Sequence, residues 1–192
     1  MSMRDLIPVL IAAALLGGVA PPAIAEQRLS GDALVEDFKM QPETRWRFFT
    51  DQVMGGVSTG GVTFANEDGQ AFARMTGRVS TANRGGFIQM RLDLATPPPE
   101  GTIGVRLVVR GNNQRYFVHL RTDGTLLPWQ YYQAGFDVTD SWSEVRLPLE
   151  SFAASGALLR SVPRPGSLAS VAVVAYGRDH DARIEVREVG FY

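Results

Sequence analysis

The stretch Asp51-Gln52-Val53-Met54-Gly55-Gly56-Val57-Ser58 places a glycine pair shortly after an acidic residue, and Asn83-Arg84-Gly85-Gly86-Phe87 contains a second pair. Glycine enters positive φ at little steric cost, so these pairs predict backbone that bends sharply or lies close against another segment. The Asp51 carboxylate can accept hydrogen bonds from amides two or three residues further on, and Met54 offers a flexible apolar side chain at the predicted loop tip. A contact loop and a simple pair of tight turns are both compatible with these residues.

Short β-prone runs separated by turn residues recur through the rest of the chain. This pattern is typical of a β-sandwich and predicts an all-β fold. The predicted strands are Leu34–Phe38, Arg45–Phe49, Gly56–Phe64, Ala71–Thr76, Phe87–Leu94, Thr102–Arg110, Arg115–Arg121, Gln130–Phe136, Glu144–Leu147, Ser170–Ala175 and Arg183–Phe191. Helical periodicity is weak throughout, and only Leu149–Ala154 and the region around Leu158 are predicted as short helical turns.

Alternation along the strands predicts which side chains enter the core. In the run from Phe87 to Leu94, one face carries apolar residues and the other carries Gln89, Arg91 and Asp93. The next two strands alternate in the same way, with arginines on the outer side. The predicted core residues of these three strands are Ile88, Met90, Leu92, Leu94, Val105, Leu107, Val109, Tyr116, Val118 and Leu120.

Five sequence blocks resemble the complex I intermediate-associated proteins. They are Asp51 to Ser58, Gly85-Gly86-Phe87, Arg115-Tyr116, Tyr132 to Phe136, and Trp142 with Leu147 to Phe152. The first block is specific, because an eight-residue match rich in Gly and Met is rare by chance. The resemblance extends from about Leu34 to Tyr192, and it implies a galactose-binding-like jelly roll.

The same resemblance implies a non-catalytic role in the assembly or stabilisation of a membrane protein complex. It assigns protein-partner contact to the signature residues, which are Asp51, Met54, Gly55, Gly56, Ser58, Gly85, Gly86 and Phe87.

A carbohydrate-binding module is the alternative hypothesis. Trp129, Tyr131 and Gln133 are predicted to alternate onto one face, where Arg91 and His119 add planar polar groups. Aromatic planes flanked by carboxamide and guanidinium donors suit a sugar face. The same aromatics, together with Phe136 and Trp142, can equally be interpreted as core residues.

Catalytic and metal-binding patterns are sparse. The chain has no cysteine and no G-x-S-x-G motif, and its two histidines are His119 and His180. Asp179-His180-Asp181 is best interpreted as a solvated turn between the last two strands. Neither a catalytic residue nor a cofactor is predicted. A structural calcium is considered at four carboxylates, with Glu36 and Asp37 near the start of the domain and Glu185 or Glu188 near its end.

Charge balance argues against nucleic-acid binding. The chain carries 19 Lys and Arg against 20 Asp and Glu, for a net charge of −1. It therefore lacks the basic footprint that phosphate backbones require.

The first 25 residues are predicted to be a secretory signal peptide. Arg4 precedes the apolar stretch Leu6–Val19, and Ala23-Ile24-Ala25 presents small residues where signal peptidase cleaves. These 14 apolar residues would span only about 21 Å as a helix, less than a hydrocarbon core of about 30 Å. The predicted organisation is a signal peptide at 1–25, a flexible linker at 26–33 and one β-sandwich at 34–192, exported to the periplasm.

We expect the mature protein to begin at Glu26, directly after the predicted cleavage site. N-terminal sequencing of protein purified from its native host should read Glu-Gln-Arg-Leu. Recovery of an intact Met1 or Ser2 would contradict the prediction of cleavage.

Overall fold

A computed structural model describes residues 32–192, and in this part the chain forms twelve β-strands. The strands are β1 (Ala33–Glu36), β2 (Trp46–Thr50), β3 (Thr59–Glu67), β4 (Gln70–Val79), β5 (Phe87–Asp93), β6 (Gly104–Gly111), β7 (Arg115–Thr122), β8 (Tyr132–Asp137), β9 (Ser143–Pro148), β10 (Ala153–Ala154), β11 (Leu168–Tyr176) and β12 (His180–Phe191). The predicted signal peptide and all but the last two residues of the predicted linker lie outside the described residues.

Two antiparallel six-stranded sheets pack face to face. The first sheet has the order β3-β4-β12-β6-β9, and β1 pairs with the second half of β12. The second sheet has the order β10-β8-β7-β11-β5-β2. The long strand β12 is the centre of the first sheet, and β11 and β7 are the centre of the second. The all-β sandwich prediction is confirmed.

The hydrophobic core lies between the sheets and contains the alternating residues that the sequence predicts. Ile88, Met90, Val105, Leu107 and Val109 are fully buried, as are Tyr116, Val118 and Leu120. Tyr132, Ala134 and Phe136 enter the same core from β8. In β5, β6 and β7, the period of two was therefore sufficient to identify the residues that face the core.

All eleven predicted strands are present, with ends that differ by up to three residues. The sequence missed β10, a two-residue strand directly after a 3₁₀ turn at Leu149–Ser151, within the predicted helical turn. The Gly56–Ser58 segment precedes β3 and is loop. His180 and Asp181 open β12, so the prediction that they lie in a solvated turn is wrong. Among residues 32–192, no helix is long and apolar enough to cross a membrane.

Ion pairs cover the outer side of the first sheet. Glu185 is 1% exposed and lies between Arg74 and Arg110, both of which donate to its carboxylate. Trp142 lies above this pair, with the guanidinium carbons of Arg110 and Arg187 at 4.6 Å and 4.4 Å from its ring centre. Trp142 therefore covers the outside of the first sheet, which corrects its interpretation as a core residue.

Candidate functional site

The carboxylate of Asp51 joins the two glycine-containing stretches. Asp51 lies in a 3₁₀ turn after β2 and is fully buried. Its Oδ1 accepts from the Ser58 amide at 2.9 Å, and its Oδ2 accepts from the Ser58 hydroxyl at 2.5 Å. Oδ2 also accepts from the amides of Gly86 at 2.5 Å and Phe87 at 3.3 Å. One side chain thus fixes the loop before β3 to the loop before β5.

The four glycines around Asp51 are required for two different reasons. Gly55 and Gly86 have φ values of 91° and 130°, which residues with a side chain rarely adopt. Gly56 and Gly85 are crowded instead. A Cβ at Gly56 would lie 2.7 Å from Cβ of Asp51, and a Cβ at Gly85 would lie 2.8 Å from its carboxylate carbon. Both glycine pairs therefore serve the same buried carboxylate.

Further hydrogen bonds connect this region to the loop before β12. The Ser58 hydroxyl accepts from the Ser80 amide at 2.9 Å. Asp179 accepts from the amide and the hydroxyl of Thr81, each at 2.7 Å. The Gly177 amide donates to the Gly86 carbonyl at 2.8 Å. Three loops at this end of the sandwich are consequently held together.

Burial and hydrogen bonding act in opposite directions on Asp51. Burial alone would raise the pKa of its carboxyl group. The hydrogen bonds from Ser58, Gly86 and Phe87 outweigh burial and hold the pKa below its ordinary value of 3.8. Asp51 is therefore ionised at neutral pH, and these hydrogen bonds stabilise its negative charge.

These contacts correct part of the predicted partner surface. Asp51 and Ser58 are both fully buried, so neither can touch a partner directly. Their role is to hold the loop. The tip of that loop is exposed and apolar, with Val53, Met54 and Val57 at 73%, 61% and 45% exposure. The sequence interpretation singled out Met54 but missed the two valines, although all three lie in the quoted stretch.

Phe87 connects the signature loops to the outer side of the second sheet. It begins β5 and packs edge-on against Phe49 of β2, with ring centres 6.4 Å apart. It also lies in register with Tyr176 of β11. Gly85 and Gly86 place this phenylalanine at the start of an aromatic surface that continues across the sheet.

The predicted alternative ligand face lies on this same surface. The ring of His119 stacks on Tyr131, with centres 4.0 Å apart and planes within 8°. His119 Nε2 lies 2.7 Å from Oε1 of Gln133. The Tyr131 hydroxyl is 3.3 Å from that of Tyr176. The structure thus brings together three of the five predicted face residues and adds Tyr176.

The side chains of His119 and Tyr131 are uncharged at neutral pH. Burial lowers the pKa of His119 to about 4, although the hydrogen bond with Gln133 opposes the shift. Burial raises the pKa of Tyr131 well above 10, and the hydrogen bond with Tyr176 acts in the same direction. The face therefore offers neutral rings and a carboxamide at this end.

Trp129 does not join this group through strand alternation. The eighth strand begins at Tyr132, so Trp129 lies in the preceding turn and is 62% exposed. Its carbonyl accepts from the Ser155 hydroxyl at 2.9 Å. The placement of Trp129 by alternation was wrong because the alternation was extended into the turn that precedes the strand.

Arg91 lies on the same face, beyond β11. Its guanidinium carbon is 5.1 Å from the centre of the Phe49 ring. Burial lowers the pKa of the Arg91 guanidinium below its ordinary value. The Asp93 carboxylate opposes this shift, and the charges of Arg47 and Arg121 add to it. Three arginines are therefore close enough to influence one another electrostatically.

The carboxylates considered for calcium are already paired. Glu36 accepts from Arg45 and the Trp46 indole, and Glu185 accepts from two arginines. Lys39 pairs with Asp37 at 2.9 Å and Arg106 with Glu188 at 2.6 Å. Within residues 32–192, no group of three or more His, Cys, Asp or Glu side chains converges as a metal site. The described residues therefore provide no set of carboxylates that converges on one position as calcium ligands.

The fold belongs to the class of β-sandwiches found in carbohydrate-binding modules. A family 11 module of the cellulosomal cellulase Lic26A-Cel5E of Clostridium thermocellum aligns with a TM-score of 0.68 at 10% identity, covering 84% of this chain and 94% of that one. The same family's module in complex with a beta-1,3-1,4-mixed-linked tetrasaccharide gives 0.67 at 10% identity, over 83% and 94%. An exo-beta-agarase gives 0.58 at 5% identity, over 83% of this chain and 24% of that one. At these identities the likeness shows the fold alone.

Sequence comparison identifies the family. Residues 36–175, well over half of the chain, match the family described as Complex I intermediate-associated protein 30 (CIA30). The chain therefore belongs to this family, as the five sequence blocks indicated. A search of curated protein sequences gave no match.

Replacing Asp51 with Asn should destabilise the protein and change its acid sensitivity. The side-chain amide of Asn has two N–H donors, but the groups that surround this position are themselves donors. We therefore expect the free energy of unfolding to fall by about 2–3 kcal/mol at pH 7. Because the folded-state pKa is depressed, the stabilisation by Asp51 is complete above the unfolded value of 3.8 and is lost as pH falls through the folded-state pKa. Urea denaturation at pH 7 and at pH 3 should show a smaller stability difference between variant and wild type at the lower pH.

Asp137→Asn is the matched control, because that side chain is 75% exposed. Its stability should follow the wild type at both pH values. Equal stability of Asp51→Asn and wild type at pH 7 would contradict the assigned role of Asp51.

Replacing Gly85 with Ala should also destabilise the protein, through contact with Asp51. The new methyl group overlaps the carboxylate, and we expect a cost of about 2 kcal/mol or more in thermal or urea denaturation. Gly61→Ala is the control, since a Cβ there meets no atom within 4 Å. When Asp51 is also replaced by Ala, the loss of unfolding free energy caused by Gly85→Ala should be much smaller. An unchanged cost in that background would show that crowding by the carboxylate is not the cause.

Proposed function

We propose that the protein is a non-catalytic, exported binding factor that assists the assembly or stabilisation of a membrane protein complex. The family relationship supports an assembly role. The observation that carries the proposal is the exposed apolar loop tip formed by Val53, Met54 and Val57 above the buried Asp51 carboxylate. In this proposal the predicted signal peptide directs the protein to the periplasm, where it meets its client.

The construction of the loop suits protein contact. Asp51 and the surrounding hydrogen bonds fix its backbone before any partner arrives, so little conformational entropy is lost on binding. Met54 has several rotatable bonds and adapts to varied apolar surfaces. Apolar side chains that remain exposed as a group are typical of sites that bind a protein partner.

A binding role without catalysis agrees with the state of the two histidines. His119 is 8% exposed and hydrogen-bonded to Gln133. Nδ1 of His180 lies 2.8 Å from the Arg178 carbonyl at the start of β12. Neither histidine has a serine or carboxylate among its hydrogen-bond partners in residues 32–192, so neither is paired with a nucleophile as a general base there.

Carbohydrate binding on the outer side of the second sheet is a second candidate function. The stacked rings of His119 and Tyr131, with the Gln133 carboxamide beside them, favour it. Aromatic planes contact the apolar face of a sugar, and planar donors bind its hydroxyls. The fold is also that of modules which include one solved with a bound tetrasaccharide.

Met54→Asp should abolish capture of a protein partner while preserving the fold. The side chain is 61% exposed, so the free protein should retain its thermal midpoint within about 2 °C. A carboxylate in an apolar interface would lack a partner and weaken binding strongly. Affinity capture from detergent-solubilised membranes, followed by mass spectrometry, compares the recovered proteins.

Met40→Asp provides a matched control. Met40 is 74% exposed and precedes β2, whereas Met54 follows it. The control should recover the same partners as wild type. If Met54→Asp also recovers them and Tyr131→Ala loses them, the sheet face is the binding surface and the loop is structural.

A further inference from the structure

Two neighbouring loops at one end of the second sheet expose large apolar side chains. In the loop between β7 and β8, Leu126 is 84% exposed and Trp129 is 62% exposed. In the loop between β10 and β11, Leu158 is 90% exposed. The loops are joined at Ser155, whose hydroxyl donates to the Trp129 carbonyl and whose amide donates to the Tyr131 carbonyl, each at 2.9 Å. The apolar tips of these loops are Leu126, Leu127, Trp129 and Leu158.

The apolar tips lie at the end of the sandwich opposite to Asp51 and Met54. Thr122 at the end of β7 pairs with Leu168 at the start of β11, whereas the last residue of β11, Tyr176, pairs with Phe87. The nine residues of β11 separate these two ends by about 26 Å, at roughly 3.3 Å per residue. The apolar tips are therefore distinct from the loop tip assigned to a protein partner.

Most backbone polar groups of the first loop are already hydrogen-bonded within the protein. The guanidinium of Arg121 donates to the carbonyls of Thr125 and Leu127 at 2.8 Å and 3.2 Å. It also donates to the Pro128 carbonyl at 3.3 Å. The Gln130 side chain accepts from the Leu127 amide at 3.0 Å. Backbone groups that are paired in this way can leave water at little cost, which is what contact with an apolar phase requires.

The chain enters the sandwich at this same end. Ala33 and Leu34 of β1 line one cavity together with residues 94–99, which follow β5. The last residue of β5, Asp93, pairs with Ser170 near the start of β11. While the predicted signal peptide is attached and engaged with a membrane, the end with the apolar tips is therefore the one closest to the point of attachment.

We propose that the apolar tips insert into the surface of a phospholipid bilayer. Leu126 and Leu158 enter the boundary of the acyl chains, and Trp129 lies at the level of the headgroups, where amphipathic aromatic rings are favoured. This contact is additional to the proposed function. It holds the protein at a membrane while the opposite end binds a protein partner.

Charged side chains at this end are mixed in sign. Arg160 and Arg164 are exposed on the second loop and suit lipid phosphates. Asp123 is exposed on the first loop, and Glu100 lies beside Gly166. Attraction to anionic headgroups therefore adds modestly to binding, and insertion of the apolar tips provides most of it.

A protein partner fits the apolar tips less well. Groups of exposed apolar side chains mark contact with either a protein or a membrane. The exposure of Leu126 and Leu158 shows that they project from the domain and do not line a groove. A protein interface requires a surface of complementary shape, whereas fluid acyl chains adapt to projecting side chains.

Flotation of the mature chain, from Glu26 onward, with phospholipid vesicles tests the proposal. The vesicles contain either phosphatidylcholine alone or equal parts of phosphatidylcholine and phosphatidylglycerol. We expect binding to both, somewhat stronger to the anionic vesicles, and retained in high salt. Leu126→Asp and Leu158→Asp should each lower the vesicle partition coefficient by about tenfold or more, because a carboxylate resists transfer into acyl chains.

Asn113→Asp is the matched control. It adds the same charge at an exposed position in the turn between β6 and β7, at the opposite end of the sandwich. Its partition coefficient should equal that of wild type. All three variants replace exposed side chains, so their thermal midpoints should stay within about 2 °C of wild type.

Lipids brominated in the acyl chains provide a second measurement. They should quench the tryptophan fluorescence of the wild type on binding. Trp129→Phe should remove most of this quenching, because Trp46 is buried and Trp142 lies on the outside of the first sheet. Quenching that is unchanged in Trp129→Phe would contradict the proposed orientation.

Three other results would overturn the proposal. They are wild-type binding to neither kind of vesicle, binding that high salt abolishes, and equal binding by wild type, Leu126→Asp and Leu158→Asp. Loss of a captured protein by Leu126→Asp, without vesicle binding by wild type, would identify a protein-binding surface instead. The effect of Met54→Asp on partner capture is measured separately, so failure of the lipid proposal is distinguishable from failure of the proposed function.

Discussion

The buried, ionised Asp51 carboxylate is the interaction on which one end of the sandwich depends. Four donors from Ser58, Gly86 and Phe87 compensate for its removal from water. Because a carboxylate occupies the space between them, the two facing positions at Gly56 and Gly85 have no room for a side chain. The glycine pairs, Asp51 and Ser58 therefore act together to hold the loops before β3 and β5 against each other.

The two outer faces of the sandwich differ in how their charges are arranged. On the first sheet, Glu185 is enclosed by Arg74 and Arg110, and Trp142 covers them. Paired charges of this kind stiffen a surface and leave few free donors. On the second sheet, the guanidinium of Arg91 lies over the Phe49 ring, and its Nε is buried without a hydrogen-bond partner among residues 32–192.

Phe87 links the two candidate contact regions. Its amide donates to Asp51, and its ring meets Phe49 on the outer side of the second sheet. Phe87 also lies in register with Tyr176, whose hydroxyl is 3.3 Å from that of Tyr131, so the loops around Asp51 adjoin the face that carries His119 and Tyr131. A protein partner at the loop and a saccharide on the sheet are physically compatible proposals, and substitutions at Met54 and Tyr131 would act on separate contacts.

The sequence by itself determined the all-β fold, the core positions and the family. Both the period-two alternation and the family motifs involve residues that are close together in the chain, so they can be recognised without the structure. Ile88, Met90 and Leu92 could be assigned to the core from spacing alone. Only the tertiary structure decided the function of Asp51, which local reasoning placed on a partner surface. Its decisive donors, the amides of Gly86 and Phe87, lie 35 and 36 residues away. The alignment of Arg47, Arg91, Ala172, His119 and Gln133 across five strands of the second sheet was equally hidden. Register across strands depends on long-range pairing that no single segment encodes.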